Sequence, residues 1–349
     1  MTHHIAASHE FGGVIARAIH APVCSVIENL LVGPCATDPE VHARARSDFW
    51  DLHGRDLARS RASFRALGAA IRAPDPLVIW TTRSLADTAA VRWLCAWRLL
   101  CQPREPNVSL VVLGPGSDRS AGLDRINIRV RAEDVRRSLD SARRLSLTRM
   151  RGMSRGWRAL TRGSPISIPA GGRVDQDRMD LVDLSLYEAG FFPRIERRGL
   201  ALSRFDELVF SCLERDDWLT PVKVFVHDSA AGEELRKWMP HTGDVFLASR
   251  LAQWAAHGGT ESALEREPVR PENVMLAAQY RLSKVGKAIG RRGLREIGQA
   301  PPLSVFGAVA YDPLAPWVVV GPLVGPPRFE LRERDAPARK IDRPPARPK

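Results

Sequence analysis

The chain has 349 residues, of which 44% are hydrophobic and 26% are charged. This length exceeds the roughly 100–200 residues of one domain, and the apolar content excludes a wholly disordered chain. A formal charge of +12 favours an acidic partner, such as nucleic acid or an anionic small molecule. Only six of the 52 basic residues are lysine and 46 are arginine, so a GC-rich coding bias explains the charge equally well.

The cysteines and the N-terminal residues allow a prediction of the cellular compartment. The five cysteines are odd in number and form no CxxC pair, which is typical of core residues in a reducing compartment. The N-terminus lacks the basic flank and apolar stretch of a signal peptide, and no segment approaches 18 apolar residues. We therefore expect a cytoplasmic protein without membrane association. The sequence identifies no cofactor and predicts no metal site, since His3, His4 and His9 lack the spacing of a zinc pair.

Residues 1–118 alternate apolar segments with helical ones. Strands are predicted over 3–9, 22–34, 76–80 and 107–114, and helices over 11–20, 38–73 and 84–100. Nearly continuous apolar strands that alternate with helices favour a parallel sheet covered on both faces. The predicted fold is therefore α/β, with a Rossmann-like domain whose strands end along a single rim.

Open parallel sheets bind ligands where their strands end and helix N-termini expose amides. The candidate ligand-binding residues in these turns are Ser8, His9, Glu10, Glu28, Thr82, Arg83 and Ser84. Threonine hydroxyls and an arginine beside a helix N-terminus suit a phosphate or carboxylate. Two alternatives stay open. In the first, Ser84 and Asp87, which have capping-box spacing, bind only the free amides at the start of their own helix. In the second, His9 and Glu10 form a candidate acid–base pair. The absence of GxGxxG disfavours a dinucleotide.

The remainder of the chain divides into three predicted regions. Residues 119–200 are a basic helical connector, with twelve arginines between Arg125 and Arg162, which we expect to pack on the body through Leu145, Leu147, Met150 and Trp157. Residues 201–325 show three helices, a hairpin and a closing helix, the order of a winged helix-turn-helix. Residues 326–349 are rich in proline and charge and are predicted to be disordered.

In the winged-helix-like region, the helix at 243–257 is the predicted recognition helix. Its apolar residues are assigned to the core, which leaves Arg250 and Gln253 for contact with nucleic acid or a protein partner. The closing helix adds a cluster of positive charge, formed by Lys284, Lys287, Arg291 and Arg292.

Four stretches of the N-terminal region resemble the motifs of a bacterial family, domain of unknown function 1835. They are HIAASHEFGG at 4–13, ENLLVGP at 28–34, RSDFW at 46–50 and VIWTTRSLADTAAVRWLCAWRLL at 78–100. The stretches FDELVFSCL, HTGDVFLASRLAQWAAHGGTESALEREP and ENVML are similar to its frequent partner, domain of unknown function 3658. Ala7-Ser8-His9 stand where the first family has Gly-Asp-Ser. The resemblance implies a bacterial protein and supplies no reaction.

Three functional hypotheses follow. The first is a regulatory or accessory protein whose winged module contacts nucleic acid or a protein partner. The second is an enzyme that acts on a phosphorylated or carboxylated small molecule at the strand ends of the N-terminal domain. The third is an interaction scaffold without catalysis.

Overall fold

The computed structural model describes the chain in stretches: residues 1–27, 29–49, 54–114, 130–161, 165, 176–196, 199–215, 217–269, 275–295, 299–305, 309–310, 317–320 and 327–331. The chain divides into two compact units. Unit 1 comprises Met1–Leu184 and Ser304–Ala310, and unit 2 comprises Ser185–Leu303 and Tyr311–Lys349. The predicted connector at 119–200 is thus shared between the two units.

A five-stranded sheet forms the centre of unit 1. Its strands are β1 (His3–Ala6), β2 (Val23–Ser25), β3 (Leu77–Thr81), β4 (Val108–Val112) and β5 (Arg143–Arg144). The spatial order is β2-β1-β3-β4-β5, in which the first four strands run parallel and β5 is antiparallel to β4. The prediction of an α/β fold with a parallel sheet is confirmed, although the second strand is much shorter than the predicted 22–34.

The helices of unit 1 are α1 (His9–Ile19), α2 (Pro39–Phe49), α3 (Gly54–Arg72), α4 (Leu85–Cys101), α5 (Ala132–Leu139), α6 (Leu147–Leu160) and the part of α7 (Gln176–Ala189) up to Leu184. The helical segment predicted at 38–73 corresponds to α2 and α3, and residues 50–53 between them lie outside the described residues. A short hairpin of β10 (Ser304–Val305) and β11 (Val309–Ala310) also belongs to this unit.

Both faces of the central sheet are covered. On one face Trp80 and Val111 pack in a core cluster with Phe11 of α1 and Val135 of α5. Since successive strand residues point to opposite faces, the fully buried Ile79 belongs to the other face, where α3 and α4 pack. This arrangement explains the continuous apolar character of the strands in the sequence.

A buried arginine ties α4 to the turn before β3. Arg98 is fully buried and donates hydrogen bonds of 2.5–2.9 Å to four backbone carbonyls, those of Pro106, Ile71, Ala73 and Asp75. Carbonyls that end a helix or precede a strand have no partner within their own element, and the planar guanidinium satisfies several of them at once. This arginine is therefore structural.

Unit 2 contains most of the C-terminal helices and two sheets. Its helices are α8 (Arg204–Cys212), α9 (Pro221–Phe225), α10 (Ala230–Thr242), α11 (Asp244–Ala256) and α12 (Lys284–Arg292). A hairpin of β8 (Leu264–Pro268) and β9 (Ala278–Leu282) precedes α12. The second sheet has the order β13-β12-β6-β7, formed by Arg328–Leu331, Trp317–Val320, Arg194–Glu196 and Gly199–Ala201.

The predicted helices, hairpin and closing helix are present in this unit, together with the short helix α9 that the sequence did not reveal. One prediction for the C-terminus is wrong. Arg328–Leu331 lie within the tail predicted to be disordered, yet they form a strand antiparallel to Trp317–Val320. Residues 332–349 lie outside the described residues.

Aromatic residues form the core of unit 2. The rings of Phe191, Phe205, Trp238 and Phe246 lie with centroids 5.2–6.0 Å apart, most of them edge to face. Such geometry favours aromatic pairs beyond the area that they bury. No helix among the described residues is both long and apolar enough to cross a membrane.

Candidate functional site

A cleft of about 490 Å³ opens in unit 1 where β3 and β4 end. Its walls come from the β3–α4 turn, from α4 and α6, and from β4, β5 and α7. Four of the lining residues are arginines, at positions 83, 92, 143 and 149, and one, Asp180, is acidic. Thr81, Thr82, Thr88 and Ser141 also line the cleft, and the three threonine hydroxyls donate to Thr82 O, Asp87 Oδ2 and Ser84 O. Val91, Leu110, Val112 and Met153 form an apolar strip. The cleft is thus cationic and combines hydrogen-bond donors with an apolar surface.

The β3–α4 turn is held by a capping network. The Ser84 hydroxyl accepts a hydrogen bond from the Asp87 amide at 3.1 Å, which satisfies one of the free amides of the helix N-terminus. The Asp87 carboxylate accepts from the amide and the hydroxyl of Thr82, at 2.6 and 2.7 Å. Ser84 is buried and does not line the cleft, so the capping interpretation of this residue is confirmed. Thr82 and Arg83 line the cleft. Asp87 does not line it but fixes the position of Thr82 through the two hydrogen bonds.

Burial makes Asp87 a weak acid. Its side chain is fully buried, and among the described residues its Oδ1 atom has no hydrogen-bond partner. Loss of solvation raises the pKa of Asp87 to about 6, against hydrogen bonds from Thr82 and Ser84 that lower the pKa, and the nearby charge of Glu10 raises it further. Burial therefore favours the protonated form of the carboxyl group beneath the cleft.

The arginines from α4 and α6 reach the cleft because these two helices pack closely. Met150, Met153 and Trp157 of α6 are buried, and the buried Arg92 guanidinium of α4 lies against Gly156. A Cβ at Gly156 would stand 2.5 Å from Arg92 Nη1, so a larger residue at this position requires the guanidinium to shift. The expected packing of the 125–162 segment is thus found for α6, with the correction that Arg149 lines a cleft.

The turn after β1 does not contribute to the cleft. Ser8 caps α1 by accepting from the Glu10 amide at 3.3 Å, and His9 and Glu10 are exposed. All four cleft arginines and the apolar strip lie on the face of the sheet that carries α4 and α6, whereas α1 packs on the opposite face with α5. The prediction that His9 and Arg83 line one pocket is therefore wrong. Glu28 lies outside the described residues.

Three arginines of the cleft were missed in the sequence. Arg92, Arg143 and Arg149 come from α4, β5 and α6, between 9 and 66 residues away from Arg83. The usable signal was the strongly basic stretch that follows β4, which marks the region although not the individual residues. No spacing rule identifies them, because the packing of α6 on α4 brings them together.

In unit 2 the predicted contact residues separate into two groups. Lys284, Arg291 and Arg292 of α12 are exposed, and Lys287 is partly exposed. Arg250 is buried, so its assignment to a partner-contacting surface is wrong. Its guanidinium donates to both carboxylate oxygens of Asp206, at 2.8 and 2.7 Å, and to Gln253 Oε1 at 3.0 Å. Gln253 is partly buried and is engaged by this arginine.

The described residues contain no group of three or more His, Cys, Asp or Glu side chains arranged to hold a metal ion. Comparison with family models, with curated proteins and with solved structures finds no match to this chain. The resemblance to the domains of unknown function 1835 and 3658 stays a prediction from short motifs. The interpretation of the cleft therefore rests on its geometry.

Proposed function

We propose that unit 1 binds a phosphorylated or carboxylated ligand in the cleft, and that the protein acts as a ligand-binding regulatory or accessory protein. The observation that carries this proposal is the convergence of Arg83, Arg92, Arg143 and Arg149 in one cleft, where Asp180 is the acidic residue among the lining residues that the structure describes. Guanidinium groups bind phosphate and carboxylate oxygens in pairs of charge-assisted hydrogen bonds. The volume of about 490 Å³ lies within the usual range of small-molecule sites.

The position of the cleft in the sheet supports the same proposal. In the order β2-β1-β3-β4 the connections leave the centre in opposite directions, as in doubly wound, Rossmann-like domains. Ligands of such sheets bind beyond the carboxyl ends of the strands, near the point where the order reverses. The cleft begins at the end of β3, one of the two strands that flank this point.

We favour binding over catalysis. The enzyme hypothesis depends on Ser8, His9 and Glu10 acting together with Arg83, and these residues do not share the cleft. Among the described lining residues no histidine or cysteine offers a general base or a nucleophile. Asp87, whose pKa is near neutral, contacts Thr82 and does not itself line the cleft.

We expect the double substitution Arg143→Ala with Arg149→Ala to weaken anion binding by about 100-fold or more. Each charge-assisted contact is worth about 1.5–3 kcal/mol, and about 1.4 kcal/mol corresponds to tenfold in affinity. Isothermal titration calorimetry with pyrophosphate, adenosine monophosphate and citrate measures this loss. A matched control is Arg59→Ala with Arg61→Ala, two exposed arginines of α3 outside the cleft. No heat from any probe with the wild type, or equal losses in both variants, would refute the proposal.

A second candidate function is nucleic-acid contact by unit 2. The exposed side of α12 carries Lys284, Lys287, Arg291 and Arg292, whereas the helix contains no acidic residue. The order of helices, hairpin and closing helix favours a winged-helix-like module, in which basic side chains neutralise DNA phosphates. The buried Arg250 takes no part in this proposal.

Replacing the four basic residues of α12 with alanine tests this candidate. With duplex DNA in an electrophoretic mobility shift, we expect the slope of log affinity against log salt to become shallower by about 3.6 if all four residues contact phosphates, because each lost phosphate contact contributes about 0.9. The control replaces an equal number of exposed basic residues elsewhere in unit 2, namely Arg215, Lys223, Lys237 and Arg266. Equal changes in both variants would assign the effect to net charge alone.

A further inference from the structure

Helix α6 presents a row of arginines to solvent. Arg151, Arg155 and Arg158 are exposed, and their spacing of four and three residues places them on one side of the helix. The opposite side, with Met150, Met153 and Trp157, is buried. The row is therefore fixed in position by the packing of the helix.

Arg155 connects this row to the side of α6 that faces the cleft, whereas Arg151 and Arg158 point away from Arg149. Arg149, in the first turn of α6, lines the cleft, and Gly152 follows one turn later. The Arg155 guanidinium turns back over Gly152, with Nη2 4.0 Å from the position of a Cβ at that residue. Arg143 on β5 pairs with Leu110, whose side chain also lines the cleft, so it faces the same side of the sheet. We name Arg143, Arg149, Arg151, Arg155 and Arg158 the arginine track.

The charge of the track is not compensated. None of its five arginines forms an ion pair with an acidic residue in the part of the chain that the structure describes, and the first turn of α6 has no acidic residue. In unit 2, by contrast, Arg194, Arg204 and Arg281 each contact a glutamate within 3.2 Å. A coding bias toward arginine accounts for the number of arginines in the chain, but it does not place five uncompensated ones next to one cleft.

We propose that the arginine track binds the backbone of single-stranded nucleic acid and that one nucleotide of the strand occupies the cleft. This proposal rests on the proposed anion-binding function and names its ligand class. From Arg151 to Arg158 the exposed row covers roughly 10 Å of helix axis, at about 1.5 Å per residue, which spans more than one phosphate, and Arg149 lies on a different side of the helix, at the cleft. The strip of Leu110, Val112 and Met153 offers an apolar surface to a base beside the arginines that bind its phosphate.

Two other partners fit the observations less well. A duplex keeps its bases paired and stacked, so it leaves no nucleotide free to enter a cleft of this size. A membrane surface binds helices whose apolar side is free to insert, and the apolar side of α6 is buried against α4. Single-stranded nucleic acid uses both the charge of the track and the mixed lining of the cleft.

The test compares two triple charge reversals in the full chain. One is Arg151→Glu, Arg155→Glu and Arg158→Glu on the track, outside the cleft lining. The matched control is Arg59→Glu, Arg61→Glu and Arg65→Glu, which changes three exposed arginines of α3 by the same charge. Binding of a fluorescein-labelled 12-nucleotide oligothymidylate is measured by anisotropy at about 50 mM salt and upward. We expect the track variant to lose at least 100-fold in affinity and the control less than fivefold. The salt slope of the track variant is expected to become shallower by about 2, at about 0.7 per phosphate contact.

Calorimetry with adenosine monophosphate separates this inference from the proposed function. The track variant should bind the mononucleotide as the wild type does, since its three substituted residues do not line the cleft. Equal losses of oligonucleotide affinity in the two triple variants, or tighter binding of a duplex or of phosphatidylserine vesicles than of the single strand, would overturn the inference and leave the cleft proposal standing. Failure of the wild type to bind the mononucleotide, pyrophosphate and citrate would overturn both. Should the charge reversals prevent folding, the corresponding arginine-to-glutamine triples give the same comparison.

Discussion

Substitution of Asp206 by alanine is expected to destabilise unit 2 by about 3–5 kcal/mol, the usual cost of removing one partner from a buried ion pair. Asp206 and Arg250 are both almost completely buried and form a two-pronged salt bridge. Asp206 also accepts hydrogen bonds from Trp254 Nε1 at 2.9 Å and from the Ser203 hydroxyl at 2.9 Å. The alanine variant leaves the arginine charge in the core without its counter-charge.

Urea unfolding followed by tryptophan fluorescence measures the effect, because Trp254 lies at the site. The control is Glu265→Gln, which removes the partner of Arg281 in a half-exposed pair and is expected to cost less than about 1 kcal/mol. A double variant, Asp206→Leu with Arg250→Met, should recover much of the lost stability, since both charges are then absent. A loss below about 1 kcal/mol for Asp206→Ala would show that the pair does not hold the unit together.

The stability of unit 1 is expected to fall by about 3 kcal/mol as the pH rises from about 4 to above 6, through the titration of Asp87. Because burial raises the pKa of Asp87 to about 6 from the ordinary value of 3.8, the folded state binds the proton more tightly than the unfolded state does. Stability therefore decreases with rising pH across this window, and one pKa unit corresponds to about 1.4 kcal/mol. Below pH 4 both states are protonated, so unit 1 keeps its full stability and Asp87 no longer makes it depend on pH.

The substitution Asp87→Asn should remove this pH dependence, because the amide oxygen still accepts from Thr82 and no proton is exchanged. Thermal unfolding of wild type and variant at pH 4.5, 6 and 8 provides the comparison, and the variant should be the more stable at pH 8. Asp134→Asn, a change at a partly exposed carboxylate of α5, controls for the loss of a negative charge. Parallel pH profiles of the wild type and Asp87→Asn would contradict the expected role of burial.

Asp87 and Asp206 show that the sequence predicts local capping positions and does not predict contacts with distant residues. Both stand three residues after a serine that caps a helix, so local spacing places Asp87 and Asp206 at equivalent positions. Asp206 pairs with Arg250, which lies 44 residues away in the chain, whereas among the described residues the hydrogen bonds of Asp87 outside its own helix's backbone ladder join it to the nearby Thr82 and Ser84. Helical periodicity assigned Arg250 to the solvent because it identified the apolar side of α11 and contained no information on a buried carboxylate of another helix.

The sequence predicted the central sheet more completely than it predicted the residues of the candidate site. Apolar runs predicted the parallel strands, since such strands are buried on both faces and their sequence records this burial directly. Thr82 and Arg83 of the turn after β3, which the sequence predicted as ligand-binding residues, line the cleft, and their binding of a ligand stays a prediction. The site was incompletely predicted because its other arginines depend on the packing of α6 on α4. The first turn, Ser8 to Glu10, was included wrongly because the sequence did not show which face of the sheet each helix covers.

The short strand β5 has a consequence for the association of this protein with itself. It forms one border of the central sheet, where unpaired backbone groups would otherwise invite a strand from a second molecule. Its only two residues, Arg143 and Arg144, are both exposed and positively charged. Two like molecules that meet at this border repel each other and find only two residues with which to pair. Arg143, which we assign to the recognition of an anion, therefore also places a charge at the sheet edge, where charge disfavours edge-to-edge pairing.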